Sequence, residues 1–409
     1  MKRNLFKQMR NEWRDNVWLI IELMVVCLAI WIIMVLLFVR TEGLFTPRGY
    51  NPDNVYSLSA NTVPKESTDY IELESDDDYF ADLKTLIGRI KDNPNVEDVT
   101  IHWNGLPYNY DHSGNRLFLF EERDTIGYYG NRRTVTPDYI KVMGITSKTG
   151  ATTDQLVEML RQGEILISDD NQEYPGDPYK LKGKKVIFGN DSSTVMRVGD
   201  IIQKVRRNDY ELSWGASIIY PLNENRAWGG LAIRVKPGTG KAFAEDFKKD
   251  INLRRLRNTY LADLEALSDI REGNQRSIET DLRLYYVMIG FLLMTVFLGL
   301  LGTFWFRLQQ RVSEIAIRKV VGAKKSQVFR RILSEGLLLL CIAVIIVSAI
   351  MWSLILTDFE MINIGLEWYK ILALEAVTVI LVAVGIIISL WWPAKKAMAI
   401  EPAIAIKDE

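Results

Sequence analysis

Four long apolar runs interrupt an otherwise polar, turn-rich chain of 409 residues. Val17–Val39 carries one charge, Glu22, and Ile371–Trp392 carries only Glu375. Leu284–Phe306 and Gly336–Leu356 carry none. A helix rises about 1.5 Å per residue, so about 20 residues cross the hydrocarbon core of a bilayer. Each run is long enough, and the pattern predicts four transmembrane helices. Lys2, Arg3, Lys7, Arg10 and Arg14 precede the first run as they would in a signal peptide. A signal's apolar stretch, however, is about 7–15 residues long and ends at small residues. Leu36-Leu37-Phe38-Val39-Arg40 offers no such cleavage site. An uncleaved anchor is expected.

Between the first and second runs the pattern changes to that of a mixed α/β domain. Asn54–Ala60 alternates as a strand. Ser75 then stands as an N-cap before Asp76, Asp77 and Asp78, where negative charge favours the helix dipole. Phe80, Leu83, Leu86, Ile87 and Ile90 follow at helical spacing, and Val96–Trp103 reads as a second strand after Asn93-Pro94. Leu231–Val235, a helix over Lys241–Ile251 with Phe243 and Phe247 inward, and a strand over Thr259–Leu264 repeat the arrangement. Two β-α-β units so far apart predict one split lobe, about 53–103 and 230–266, with a strand-rich lobe inserted over about 104–229. In the insert, Lys185–Phe188 and Thr194–Val198 flank a Gly189/Asn190 hairpin turn. Thr136-Pro137 starts a short helix, with Thr136 as N-cap, and Gly144 is placed to end it in the left-handed conformation.

Charge orients the chain. The loop 307–331 holds Arg307, Arg311, Arg318, Lys319, Lys324, Lys325, Arg330 and Arg331 against one acid, Glu314. The turn 357–370 holds only Lys370 against Asp358, Glu360 and Glu367. Basic loops stay in the cytoplasm. The expected order is therefore a cytoplasmic segment 1–16, a span 17–39, an extracytoplasmic domain 40–283, a span 284–306, a cytoplasmic loop 307–331, a span 332–356, an outer turn 357–370, a span 371–392 and a cytoplasmic tail 393–409. The fold class is an α-helical membrane protein of four spans, with a large α+β extracytoplasmic domain between the first and second.

Little in the outer domain suggests catalysis. The two cysteines, Cys27 and Cys341, lie inside the apolar runs, so the outer domain has no disulfide framework. His102 and His112 are the only histidines, and no HExxH or GxSxG pattern accompanies them. Gly238-Thr239-Gly240-Lys241 lacks the first glycine of a P-loop and has Ala242 where Ser or Thr is needed. A net charge of −1 gives no nucleic-acid signal. No metal or cofactor is expected in this chain, and it is not expected to be an enzyme. Glu22, Glu335 and Glu375 are singled out because acids inside spans are costly and commonly functional.

The densest signal is Arg311-Val312-Ser313-Glu314-Ile315-Ala316-Ile317-Arg318-Lys319-Val320-Val321-Gly322-Ala323-Lys324-Lys325. Its spacing predicts an amphipathic helix stopped by Gly322 and a second helix from about Ser326 running into the third span. These residues resemble the R-x-x-E-I-x-I-R-x-x-x-G-A loop of the MacB/FtsX family of ABC-transporter permeases. Arg311, Glu314, Ile315, Ile317, Arg318, Gly322 and Ala323 match it. Pro393-Ala394 to Pro402-Ala403 is similar to the family's ending, and Val135–Ile145 to a segment of MacB-like periplasmic domains.

The resemblance implies a permease of the inner membrane with its large domain in the periplasm. It also implies coupling to an ABC-type ATPase, present in two copies, that binds ATP and Mg. MacB carries its ATPase at its own N-terminus, whereas 16 residues precede the first span here, so a separate ATPase chain is expected. Arg311, Ser313, Glu314, Ile315, Arg318, Lys319, Gly322 and Ala323 would form the coupling surface. Two permease copies, or a paralogue pair, would associate through the first and second spans, with Cys27 as a crosslinking probe. A periplasmic adaptor, an outer-membrane channel and membrane lipids are further partners of such permeases. The implied work is export of peptides, antibiotics or lipid-linked cargo by mechanotransmission. The alternative is a signal transmitter acting on a wall hydrolase or sensor kinase.

Overall fold

The computed structural model describes residues 13–72, 77–108, 113–121, 127–170, 176–189, 191–210, 216–223, 229–310, 315, 317, 320–356 and 368–399. The chain divides into two compact units, Met1–Thr41 with Glu279–Glu409, and Glu42–Ile278. Helix α1 spans Trp13–Phe45.

In the second unit, β1 (Val55–Thr62), α2 (Asp77–Lys91) and β2 (Val96–Trp103) form one β-α-β unit. The insert follows as β3 (Ser113–Leu119), β4 (Tyr128–Val135), α3 (Tyr139–Met143), α4 (Thr153–Arg161), β5 (Ile165–Ser168), β6 (Lys185–Phe188), β7 (Asp191–Ile202) and β8 (Ala216–Pro221). Then come β9 (Gly230–Val235), α5 (Gly240–Lys249), β10 (Arg255–Leu256) and β11 (Thr259–Ala266). The strand order is β10-β11-β1-β9-β2-β4-β3-β6-β7-β5-β8.

Two different sheets are joined in that order. β9 lies antiparallel between β1 and β2, and β1 lies between β9 and β11. The two β-α-β units therefore interleave, in the split arrangement of ferredoxin-like folds. Beyond β2 the sheet closes on itself, because β8 pairs in parallel with β4 from Gly130↔Ala216 to Val135↔Pro221. The insert is thus a six-stranded barrel without free edges, β4-β3-β6-β7-β5-β8. It joins the open sheet through two residue pairs, His102↔Val135 and Trp103↔Thr134.

Each half has its own core. Leu83, Leu86 and Ile90 of α2 and Phe243 and Phe247 of α5 cover the open sheet's Val99, Leu231 and Ile233. Burying one such side chain is worth about 1.5–3 kcal/mol. The barrel is filled by Leu117, Tyr128, Ile165, Ile167, Val198, Ile201 and Ile218. The α3 and α4 side chains Tyr139, Ile140, Leu156 and Leu160 form a further cluster with Ile219 and Ala232.

Several local expectations are corrected. Asp138, not Thr136, is the N-cap of α3, and it makes no side-chain cap bond. The Thr136 hydroxyl sits instead 2.8 Å from that of Thr100 and accepts from the Ile101 N–H. The Asp138 carboxylate is drawn away by Lys91 at 2.7 Å. Gly144 does close the helix, at φ 64°. The helix expected to reach Ile251 stops at Lys249, where Asp250 accepts from the Asn252 N–H and opens a 3-10 turn. The Ser75 and Asp76 cap lies outside the described residues, as does His112.

The first unit contains α6 (Leu267–Gln310, from Glu279 onward), α7 (Lys325–Leu356), α8 (Trp368–Ala399) and most of α1. All four helices are long and apolar enough to cross a membrane. Leu19, Leu23, Cys27 and Ile30 of α1 pack with Leu339, Ala343 and Val347 of α7 and Val382, Ile386 and Leu390 of α8. α6 adds Val296 to this core, while its Val287, Phe291 and Met294 point outward. Trp305 of α6 stacks on Trp392 of α8 at 4.9 Å, and the Lys396 ammonium lies 4.2 Å from the Trp305 ring. Cys27 is 3% exposed, which removes it as a crosslinking probe, whereas Cys341 is exposed.

Candidate functional site

A turn at Val321-Gly322 precedes α7. The Val321 N–H donates to the Ile317 carbonyl at 3.1 Å, and Gly322 follows at φ 97°. A side chain at that φ strains the backbone, which is why glycine ends the turn. A Cβ there would meet nothing within 4 Å, so the requirement is conformational rather than steric. α7 then restarts under its own cap. The Gln327 side chain accepts from the Lys324 N–H at 3.1 Å while the Gln327 N–H donates to the Lys324 carbonyl at 2.9 Å. This is the returning half of a capping box.

The turn encloses an open groove of about 420 Å³ whose lining includes Ile317, Val321, Gly322, Ala323, Val328 and Arg331. Ile315 turns inward to the helix core beside Val328 and Ile332. Ile317, Val320 and Val321 turn outward, Val321 being 83% exposed. Adjacent exposed β-branched residues on a basic loop form an apolar face that water solvates poorly. Arg311, Ser313, Glu314, Arg318 and Lys319 lie outside the described residues. Sequence reasoning did not single out Val320 and Val321, whose signal was two apolar residues opposite the inward Ile315.

The three span acids are not brought into one cluster. Glu22 of α1 faces Gly299 of α6, where an added Cβ would collide with its carboxylate. Glu375 of α8 accepts from the Ser348 hydroxyl of α7, beside Cys27 and Trp31. Glu335 is buried on α7. Among the described residues no three His, Cys, Asp or Glu side chains are placed to hold a metal ion. His102 is enclosed, with no hydrogen-bond partner on either ring nitrogen among the described residues, and burial lowers its pKa to about 4.

Residues 286–402 match the family profile of the FtsX-like permease C-terminal domain. The Escherichia coli (strain K12) macrolide export ATP-binding/permease protein MacB is 25% identical over 291 residues, covering 67% of this chain and 43% of that protein. The chain carries an FtsX-like permease C-terminal segment and is similar to MacB over most of its length. Its groove around Gly322 lies inside the matched FtsX-like segment. The MacB of Shigella flexneri aligns to the same extent, so the chain spans less than half the length of those relatives. Among solved structures, the periplasmic region of MacB from Actinobacillus actinomycetemcomitans superposes with a TM-score of 0.32 at 14% identity, covering 58% of this chain and 98% of that one. The extracellular domain of the ABC-type transporter YknZ from Gram-positive bacteria gives 0.30 at 11%, covering 51% and 100%.

Proposed function

We propose that the chain is the permease subunit of an ABC transporter, driven by an ABC-type ATPase that docks on the groove around Gly322. The observation that carries this reading is the exposed apolar face of Ile317, Val320 and Val321 at a left-handed turn within the FtsX-like segment. The sequence-adjacent Arg311, Glu314, Arg318 and Lys319 supply charge for such a contact. α7 begins three residues after Gly322, so a push on the turn is delivered to a helix that shares its core with α1 and α8. ATP and Mg would be held by the ATPase.

The excess of basic residues in the 307–331 loop supports a cytoplasmic turn and a second unit on the outer side. Two permease copies, each engaging one ATPase, would convert nucleotide turnover into motion of the outer unit and export peptides, antibiotics or lipid-linked cargo. The relative's name, macrolide export, supports that cargo class. The test is Val321→Asp together with Ile317→Asp. Both should leave the chain in the membrane and reduce co-purification of the ATPase at least tenfold. Undiminished co-purification and ATPase stimulation would remove the docking assignment.

A further inference from the structure

Four separate stretches of the second unit meet at one buried carboxylate. Asp209, 1% exposed, accepts from Arg48 Nε at 3.0 Å, from Arg271 Nη2 at 2.5 Å and from the Tyr108 hydroxyl at 2.9 Å. Burial alone would raise its pKa. The nearby Gln275 side chain, the hydrogen bonds from Tyr108 and Arg271 and the charge of Arg271 outweigh that and hold it below the usual carboxylate range.

Arg206 completes the junction from the same loop. Its guanidinium donates to the carbonyls of Gly43, of Thr46 at 3.0 Å and of Asp209 at 2.9 Å. Carbonyls at a helix end lack partners within the helix, and here a buried arginine supplies them. The contact is close enough to exclude any side chain at residue 43. A Cβ there would lie 2.5 Å from the Asp209 carbonyl oxygen and 2.6 Å from Arg206 Nη2.

Tyr108 adds an independent sign of constraint. It is a bulky residue at φ 64°, a conformation that costs free energy and persists only where its surroundings over-determine it. Its N–H donates to the Arg207 carbonyl at 2.7 Å, and its own carbonyl accepts from Asn274 Nδ2 at 2.9 Å. Strained residues of this kind concentrate at functional and switching sites.

The chain enters this unit at Glu42 and leaves it at Ile278. Gly43, Thr46 and Arg48 lie just inside the entry, and Arg271, Asn274 and Gln275 just inside the exit. We propose that Asp209 is a positioning residue that locks the entry and exit segments to each other and to the loops 104–108 and 206–210, so that displacing one segment carries the other with it. Without the carboxylate, Arg48 and Arg271 would repel each other across the junction and the two segments would move independently. The lock stands apart from the function proposed above. Only the origin of the displacement in an ATPase rests on that reading.

The test uses the full chain in liposomes with Cys27→Ser and Cys341→Ser, carrying spin labels at Phe45 and Ser268, both exposed. The distance between them is read by pulsed electron resonance. The otherwise unaltered chain should give one narrow distribution. Asp209→Asn, which keeps the shape and removes the charge, should widen it at least twofold, and Asp209→Glu should restore much of the narrowing. Should Asp209→Asn not fold, Arg271→Gln is read in its place, with amide exchange of β5 and β7 confirming an intact barrel. An unchanged width in a folded variant overturns the lock. With the ATPase and a non-hydrolysable ATP analogue added, the parent distance should shift and the Asp209→Asn distance should not. A parent that ignores the ATPase counts against the proposed function, while the nucleotide-free widths still decide the lock.

Discussion

The guanidinium of Arg271, near the start of α6, lies 2.5 Å from the carboxylate of Asp209, a residue 62 positions earlier in the chain. Arg48 reaches the same carboxylate from the opposite end of the unit, 161 positions away. One acid thus holds two arginines whose side chains are only partly covered.

Asp209→Ala should therefore destabilise the second unit more than Arg48→Ala does. Removing the carboxylate leaves the Tyr108 hydroxyl without its acceptor and two partly screened guanidiniums facing each other, a loss of about 2–3 kcal/mol. Arg48 is about one-third exposed, so its removal should cost no more than about 1–2 kcal/mol after solvent screening. Chemical denaturation of the full chain in detergent, followed by amide exchange in β5 and β7, ranks the two variants.

Gly322 and Gly43 should respond differently to the same alanine substitution. At Gly322 the space is open and the cost is the left-handed backbone, about 1 kcal/mol. Gly322→Asn should therefore be tolerated better than Gly322→Val, which should lower ATPase stimulation. At Gly43 the added Cβ meets backbone, so Gly43→Ala should lower the unfolding temperature of the second unit while Gly322→Ala leaves it in place. Parallel melting curves decide between them.

His102 should make the second unit sensitive to acid. Its folded pKa of about 4 lies below the unfolded value of about 6.5. The unfolded chain therefore takes up the proton first as pH falls. The stabilisation is complete above about pH 6.5 and is lost on descent towards pH 4, at up to about 1.4 kcal/mol per pH unit. His102→Leu should flatten the slope of unfolding free energy between pH 6.5 and 4. An equally steep slope in that variant would assign the acid sensitivity to other groups.

Cysteine labelling tests the packing of the helical unit. Cys341 should react with a membrane-permeant maleimide at least tenfold faster than Cys27, which is enclosed by α1, α7 and α8 side chains. Comparable rates from the single-cysteine variants would mean that α1 does not pack in that orientation.

Features set by near neighbours in the chain were legible without coordinates. The four spans follow from unbroken apolar length, and α2 and α5 from apolar residues three and four apart. Gly144 and Gly322 follow from the steric freedom that a left-handed turn demands. The split β-α-β pattern was readable because each unit repeats its own period of two and then 3.6. At the candidate coupling site, Gly322 was readable for the same reason, whereas the inward orientation of Ile315 was not. The outward face of Val320 and Val321 was not, since exposure depends on which side of the turn meets α7. Closure of the barrel needed tertiary structure, because the parallel pairing of β4 with β8 joins residues more than 80 positions apart. The α3 cap was misread because Lys91, 47 positions away, captures the Asp138 carboxylate, while Thr100 engages Thr136. Asp209, Arg48, Tyr108 and Arg271 carry no spacing signal at all. Periodicity records only what a residue's own helix or strand does with it. Which charges share a buried site is decided by where distant segments of the chain come to rest.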